Sequence, residues 1–112
     1  IGQIYQPTHI NHPSAIWARS SLRNYQWLLE LGFQLAYEYT HRYGRTHKSQ
    51  YVIENLVAQP INLTGDSFFE PPQCMPDQYK QFSTVKAYRD YYLGEKSNIL
   101  QYTNREMPEW MM

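Results

Sequence analysis

The chain has 112 residues and a mass of 13.4 kDa, the size of one compact domain, and halves of it would each be too small to build a self-sufficient core. With 42% hydrophobic and 18% charged residues it is neither disordered nor a polyelectrolyte, and ten basic residues balance ten acidic ones at a pI of about 7.1. This balance excludes a wholly basic nucleic-acid coat, so a polyanion site has to be local. The single cysteine, Cys74, excludes an internal disulfide and a cysteine-based zinc cluster. No apolar run approaches the roughly 18 residues that span a membrane, and no secretory leader pattern is present. The expectation is a soluble cytoplasmic protein without a membrane partner or cofactor. The first residue is Ile1 rather than methionine, which suggests a trimmed longer protein, with an apolar helix face left open for homo-oligomer formation.

Residues 1–12 read as an extended lead-in, because Pro7 disfavours helix at Gln6. Pro13 suits the first position of a helix, with Asn11 or His12 at its start. Ser14 to Tyr43 keeps a 3.6-residue apolar period through Leu22, Tyr25, Leu28, Leu29, Ala36 and Tyr39. It predicts one long helix, or two joined at Ser20 and Ser21, ending at a left-handed Gly44. A second helix is predicted over Lys48 to Ala58, buried through Val52, Ile53, Leu56 and Val57 and closed by Pro60. Gln59 to Asp77 holds four of the seven prolines and Gly65, which predicts an irregular connector. A last helix is predicted from Ser83 to Thr103 on the spacing of Val85, Tyr88, Tyr92, Ile99 and Tyr102. No segment alternates with period two. The predicted fold is all-α: a single-domain helical bundle over residues 1–112 with a Pro-rich irregular connector.

Charge is unevenly spread. His9 to Lys48 contains Arg19, Arg23, Arg42, Arg45 and Lys48 against Glu30 and Glu38, together with all four histidines. From Ser49 onward, eight acidic residues outnumber five basic ones. A phosphate would look for a partner in the first half. Three constellations there and beyond could carry chemistry. Asn11-His12-Pro13, leading into Trp17 and Arg19, sets polar side chains before a helix start; its plain alternative is a capped helix entry. Glu38 to Lys48 interleaves Arg42, Arg45, His47 and Lys48 with Tyr39 and Tyr43, combining phosphate contacts with stacking faces. Its plain alternative is a Glu38–Arg42 ion pair one turn apart, contributing about 0.3–0.5 kcal/mol. Ala87 to Tyr92, with Lys96 and Trp110, either lines a cleft or covers a helix. A metal site on His9, His12 and His47 lacks diagnostic spacing. No P-loop, GxGxxG, GxSxG or HExxH motif occurs.

The run His9-Ile10-Asn11-His12-Pro13-Ser14 with Trp17, Arg19, Ser20, Asn24, Tyr25 and Trp27-Leu28 resembles a group of small phage and bacterial proteins. So do Glu38-Tyr39, Arg42-Tyr43-Gly44, His47-Lys48, Met75-Pro76-Asp77, Ala87-Tyr88-Arg89, Tyr91-Tyr92, Lys96 and Pro108-Glu109-Trp110. Asn11-His12-Pro13, Trp17, Tyr25, Glu38 and Arg42 further resemble a bacterial branch of pyrimidine-dimer DNA glycosylase-like proteins. Members of the group carry an additional amino-terminal helical segment that this chain lacks. The resemblance implies a DNA-directed protein that cleaves the glycosidic bond of a damaged or modified base. It would use Glu38, His12 and His47 as the catalytic set. Asn11, Trp17, Arg19, Tyr25, Arg42, Arg45 and Lys48 would hold nucleic acid. The alternative is a non-catalytic phage accessory protein that binds nucleic acid or a protein partner through the same surface.

Overall fold

A computed structural model describes residues 8–57 and 63–111. Among these residues every regular element is helical and there is no strand, as the all-α expectation requires. The chain divides into two compact units, Ile1–Phe69 and Glu70–Met112. No helix among the described residues is long and apolar enough to cross a membrane.

The first unit holds three helices: α1 (Pro13–Ala18), α2 (Leu22–Tyr43) and α3 (Lys48–Glu54). Pro13 opens α1 behind an extended His12, whose Nδ1 accepts the Ser14 amide at 3.0 Å. The serine pair divides the long apolar run into two helices. Ser20 turns its hydroxyl back onto the Ile16 carbonyl at 2.6 Å, while Ser21 is extended and caps α2 by accepting the Asn24 amide at 3.0 Å. The Leu22 amide donates to the carbonyls of Thr64 and Gly65, at 3.3 and 3.1 Å. The Ser21 hydroxyl donates to the Ser67 carbonyl at 2.7 Å. The irregular 63–69 segment is thereby strapped over the α1–α2 corner.

That corner is the core. Trp17 is 5% exposed, lies edge-on to Trp27 and Phe68 at 5.6 and 6.0 Å, and donates Nε1–H to the Phe69 carbonyl at 2.8 Å. Asn24, wholly buried beside it, donates to the Trp17 carbonyl at 2.9 Å, while its Oδ1 is buried without a partner. Gly44 ends α2 with φ of 70°, as its left-handed role requires. The chain then turns back and α3 packs along α2. The approach is close because Gly32 has no Cβ; one placed there would stand 3.0 Å from Ile53 Cδ1. Helix α3 stops at Glu54, short of the expected Ala58. The amides of Asn55 and Leu56 bond three residues back, to Val52 and Ile53, and the Asn55 side chain donates to the Tyr51 carbonyl at 2.8 Å. The expected lead-in through Pro7 and the Ala58-to-Pro60 helix end lie outside the described residues.

The second unit is built around α4 (Thr84–Tyr91), capped by Ser83 accepting the Lys86 amide at 3.3 Å. Thr84 and Tyr88 donate hydroxyl hydrogen bonds to the carbonyls of Pro71 and Pro72, at 3.0 and 3.1 Å, and so hold the Pro-rich connector against Ala87, which is fully buried. The predicted helix to Thr103 is corrected. After Tyr91 the backbone widens into a π turn over Tyr92–Lys96, tightens into a 3-10 turn over Ser97–Ile99, and is extended at Leu100. Gly94 sits in the widened turn against the ring of Tyr79, where a Cβ would collide. The apolar spacing does not report this contact.

Candidate nucleic-acid interface

The α2–α3 turn gathers aromatic and basic side chains on one short stretch. Tyr39 is its centre. Its ring lies 4.9 Å from Tyr43 and 4.8 Å, edge-on, from His47, and its hydroxyl accepts from Arg45 Nε at 3.2 Å. Arg45 can reach Tyr39 because the left-handed Gly44 reverses the chain immediately before it. Lys48 opens α3, and Tyr43, Arg45 and Lys48 are all exposed. Glu38 accepts from Arg42 Nε at 2.7 Å, one helical turn away on α2. The ordinary ion pair that the spacing allowed is therefore formed. Between Arg42 and Gln50 there is no acidic residue, so the turn offers positive charge beside two tyrosine rings.

A groove of about 330 Å³ runs from this turn between α2 and α3, lined by Gly32, Leu35, Ala36, Tyr39, His47 and Ile53 among others. Its walls are mostly apolar. Gln50, also at its edge, has a buried side-chain oxygen without a partner.

The remaining predicted residues stand elsewhere. His12 and Arg19 organise the entry to α1: His12 caps it, and Arg19 donates to the Ile10 carbonyl at 2.6 Å. Asn11 is exposed in the turn before it. Trp17, expected to stack on a base, has its faces and its N–H occupied within the core, which corrects that role. Tyr25, also expected to stack, is half-buried and donates its hydroxyl to the Leu56 carbonyl, tying α2 to the end of α3.

The expected catalytic residues stand on three different elements. His12 caps α1, while Glu38 lies on α2, sixteen residues beyond Leu22. His47 is near Glu38 in the chain, yet its Nδ1 accepts the Ser49 amide at 3.0 Å and caps α3. Among the described residues no three His, Cys, Asp or Glu side chains cluster to hold a metal ion.

The third constellation covers its own helix. Tyr79 and Tyr91 meet at 5.4 Å, Lys96 lies over the Tyr91 ring at 5.6 Å, and Arg89 lies over Trp110 at 5.1 Å. Two carboxyls in this unit titrate below the ordinary carboxylate range. Hydrogen bonding and charge from Lys80 hold Asp77 down, and hydrogen bonds from Gln81 and then Lys86 hold Asp90 down. Neither belongs to the basic turn.

One feature escaped the sequence entirely. Arg23, Gln26, Trp27 and Phe68 line an open groove of about 430 Å³. Phe68 comes from the 63–69 strap, and no periodicity in α2 announces its arrival. The chain matches no family model, no curated protein and no solved structure.

Proposed function

We propose that the first unit binds nucleic acid without covalent chemistry, through the basic and aromatic turn between α2 and α3. The convergence of Tyr39, Tyr43, Arg45 and His47 at that turn carries this reading. Arg42, Arg45 and Lys48 meet phosphates, which fix position without reading sequence. Exposed Tyr43 offers a face to an unstacked base. The distribution of the other expected site residues supports a binder over an enzyme. Glu38 is engaged with Arg42, and both His12 and His47 spend their Nδ1 lone pairs on helix caps.

The test is DNA affinity measured across a salt series, with cleavage followed on the same lesion-bearing duplexes. Affinity should fall steeply with salt, and replacing Arg42, Arg45 and Lys48 together by alanine should reduce the slope by about 0.9 for each phosphate no longer neutralised. Absence of salt-sensitive binding at low ionic strength overturns the reading. Base excision that drops by roughly 10²–10⁴ in Glu38→Gln, with binding retained, would instead establish Glu38 as a catalytic carboxylate of a glycosylase.

A further inference from the structure

Helix α2 has two apolar faces, and α3 covers one of them. Tyr25, Gly32, Ala36 and Tyr39 look toward α3 and the groove beside it. About a quarter-turn round the helix, at 100° per residue, stand Leu28, Leu31 and Leu35, with Trp27 further round beside Leu31. These four keep 42, 40, 62 and 41% of their surface exposed. The steps of three and four residues from Leu28 through Leu31 and Leu35 continue into Glu38 and Arg42, so one stripe runs from apolar to charged. At its other end, Trp27 meets Phe68 at 5.9 Å, and the two form the open groove that Arg23 and Gln26 flank.

We propose that this stripe pairs antiparallel with the same stripe of a second copy of the chain, about a two-fold axis at Leu31. In that register Leu31 faces its own counterpart. Four residues away on either side, Leu35 of each copy packs against Trp27 of the other. The contact is self-complementary, as a two-fold interface must be: Leu35 and its counterpart Trp27 stand on one surface at equal distances along the helix from Leu31. Charge selects the direction. Antiparallel pairing sets Glu38 of one copy beside Arg23 of the other. Parallel pairing would set Glu38 against Glu38 and Arg42 against Arg42, both like charges. A single apolar patch has no directional preference; this stripe does.

Sedimentation of the full chain over a concentration series, combined with cysteine crosslinking in a Cys74→Ser background, tests the pairing. The parent chain should sediment as a dimer. Leu31→Glu, at a position already exposed, should sediment as a monomer with unchanged helical circular dichroism. If Leu31→Glu fails to fold, the charge pair decides: Arg23→Glu alone should weaken association at least tenfold, and adding Glu38→Arg should restore most of it. Leu31→Cys should crosslink to itself on oxidation. Leu35→Cys should not, but should crosslink when mixed with Trp27→Cys, because Leu35 meets Trp27 of the other copy and not its own counterpart. A monomer at all concentrations overturns the proposal. So does self-crosslinking of Leu35→Cys as fast as that of Leu31→Cys, which would mean a parallel or indiscriminate contact.

Discussion

His12 and His47 do the same work in two places. Each stands in extended backbone before a short helix and accepts, through Nδ1, the amide two residues on. A histidine used this way carries its proton on Nε2, so protonating Nδ1 removes the acceptor on which the helix start depends. His47→Ala is therefore expected to destabilise the chain by about 0.5–2 kcal/mol, while His47→Asn, which supplies an acceptor of similar reach, should retain most of that stability. Urea denaturation of the three proteins measures it. Asp90 is the residue with the plainest pH signature. Its folded-state pKa lies below the ordinary 3.8 because Gln81 Nε2 donates to it at 2.9 Å and Lys86 Nζ at 3.3 Å. A depressed pKa gives stability that is present above the unfolded-state value and lost as pH falls through the folded one. Melting temperature should fall on acidification below about pH 4. Asp90→Asn should flatten that part of the curve by lowering the melting temperature at pH 7, where the charged form contributes, and should differ little from the parent in acid.

At the scale of elements, two glycines inside helical segments are there for different reasons. Gly32 lets α3 lie close to α2, and the atom nearest to an added Cβ is Cδ1 of Ile53, the far end of a flexible side chain. Gly94 faces the ring of Tyr79, which also packs on Tyr91 and cannot turn aside at small cost. Gly32→Ala should consequently be close to neutral, the helix propensity gain of about 1 kcal/mol offsetting a small shift of Ile53. Gly94→Ala should cost about 1–3 kcal/mol, the usual penalty of overpacking. Thermal denaturation of the two single variants, and of Gly94→Ala with Tyr79→Leu, checks the assignment; the double variant should recover stability relative to Gly94→Ala alone.

At the scale of the whole molecule, the proposed pairing of α2 and the proposed nucleic-acid interface constrain one another. Gly44 lies thirteen residues beyond Leu31, about 20 Å along the helix, so an antiparallel pair would present its two basic turns about 39 Å apart. One turn of duplex DNA measures about 34–36 Å. Two such turns can therefore engage neighbouring stretches of one duplex, and the second contact becomes intramolecular. A duplex of some thirty base pairs should bind at least tenfold tighter than one of twelve, and Leu31→Glu should abolish that difference while leaving affinity for the short duplex unchanged. Fluorescence anisotropy with both lengths, for both proteins, reads it directly.

What the sequence determined by itself was the local grammar. Pro13 opens α1, Ser21 and Ser83 cap their helices, and Gly44 ends α2 in the left-handed region, because each depends on backbone chemistry within three or four residues. The ion pair of Glu38 with Arg42 was equally legible, since one helical turn fixes their separation. Only tertiary structure decided the rest. Trp17 became a core residue instead of a stacking face because Trp27, Phe68 and the Phe69 carbonyl close around it, and two of these arrive from fifty residues away. The last helix gives way after Tyr91 to a π turn in which Gly94 leaves room for Tyr79, a contact from outside the helix. The residues expected to act together are each engaged on their own element: Glu38 with Arg42 one turn away on α2, His12 as the cap of α1 and His47 as the cap of α3.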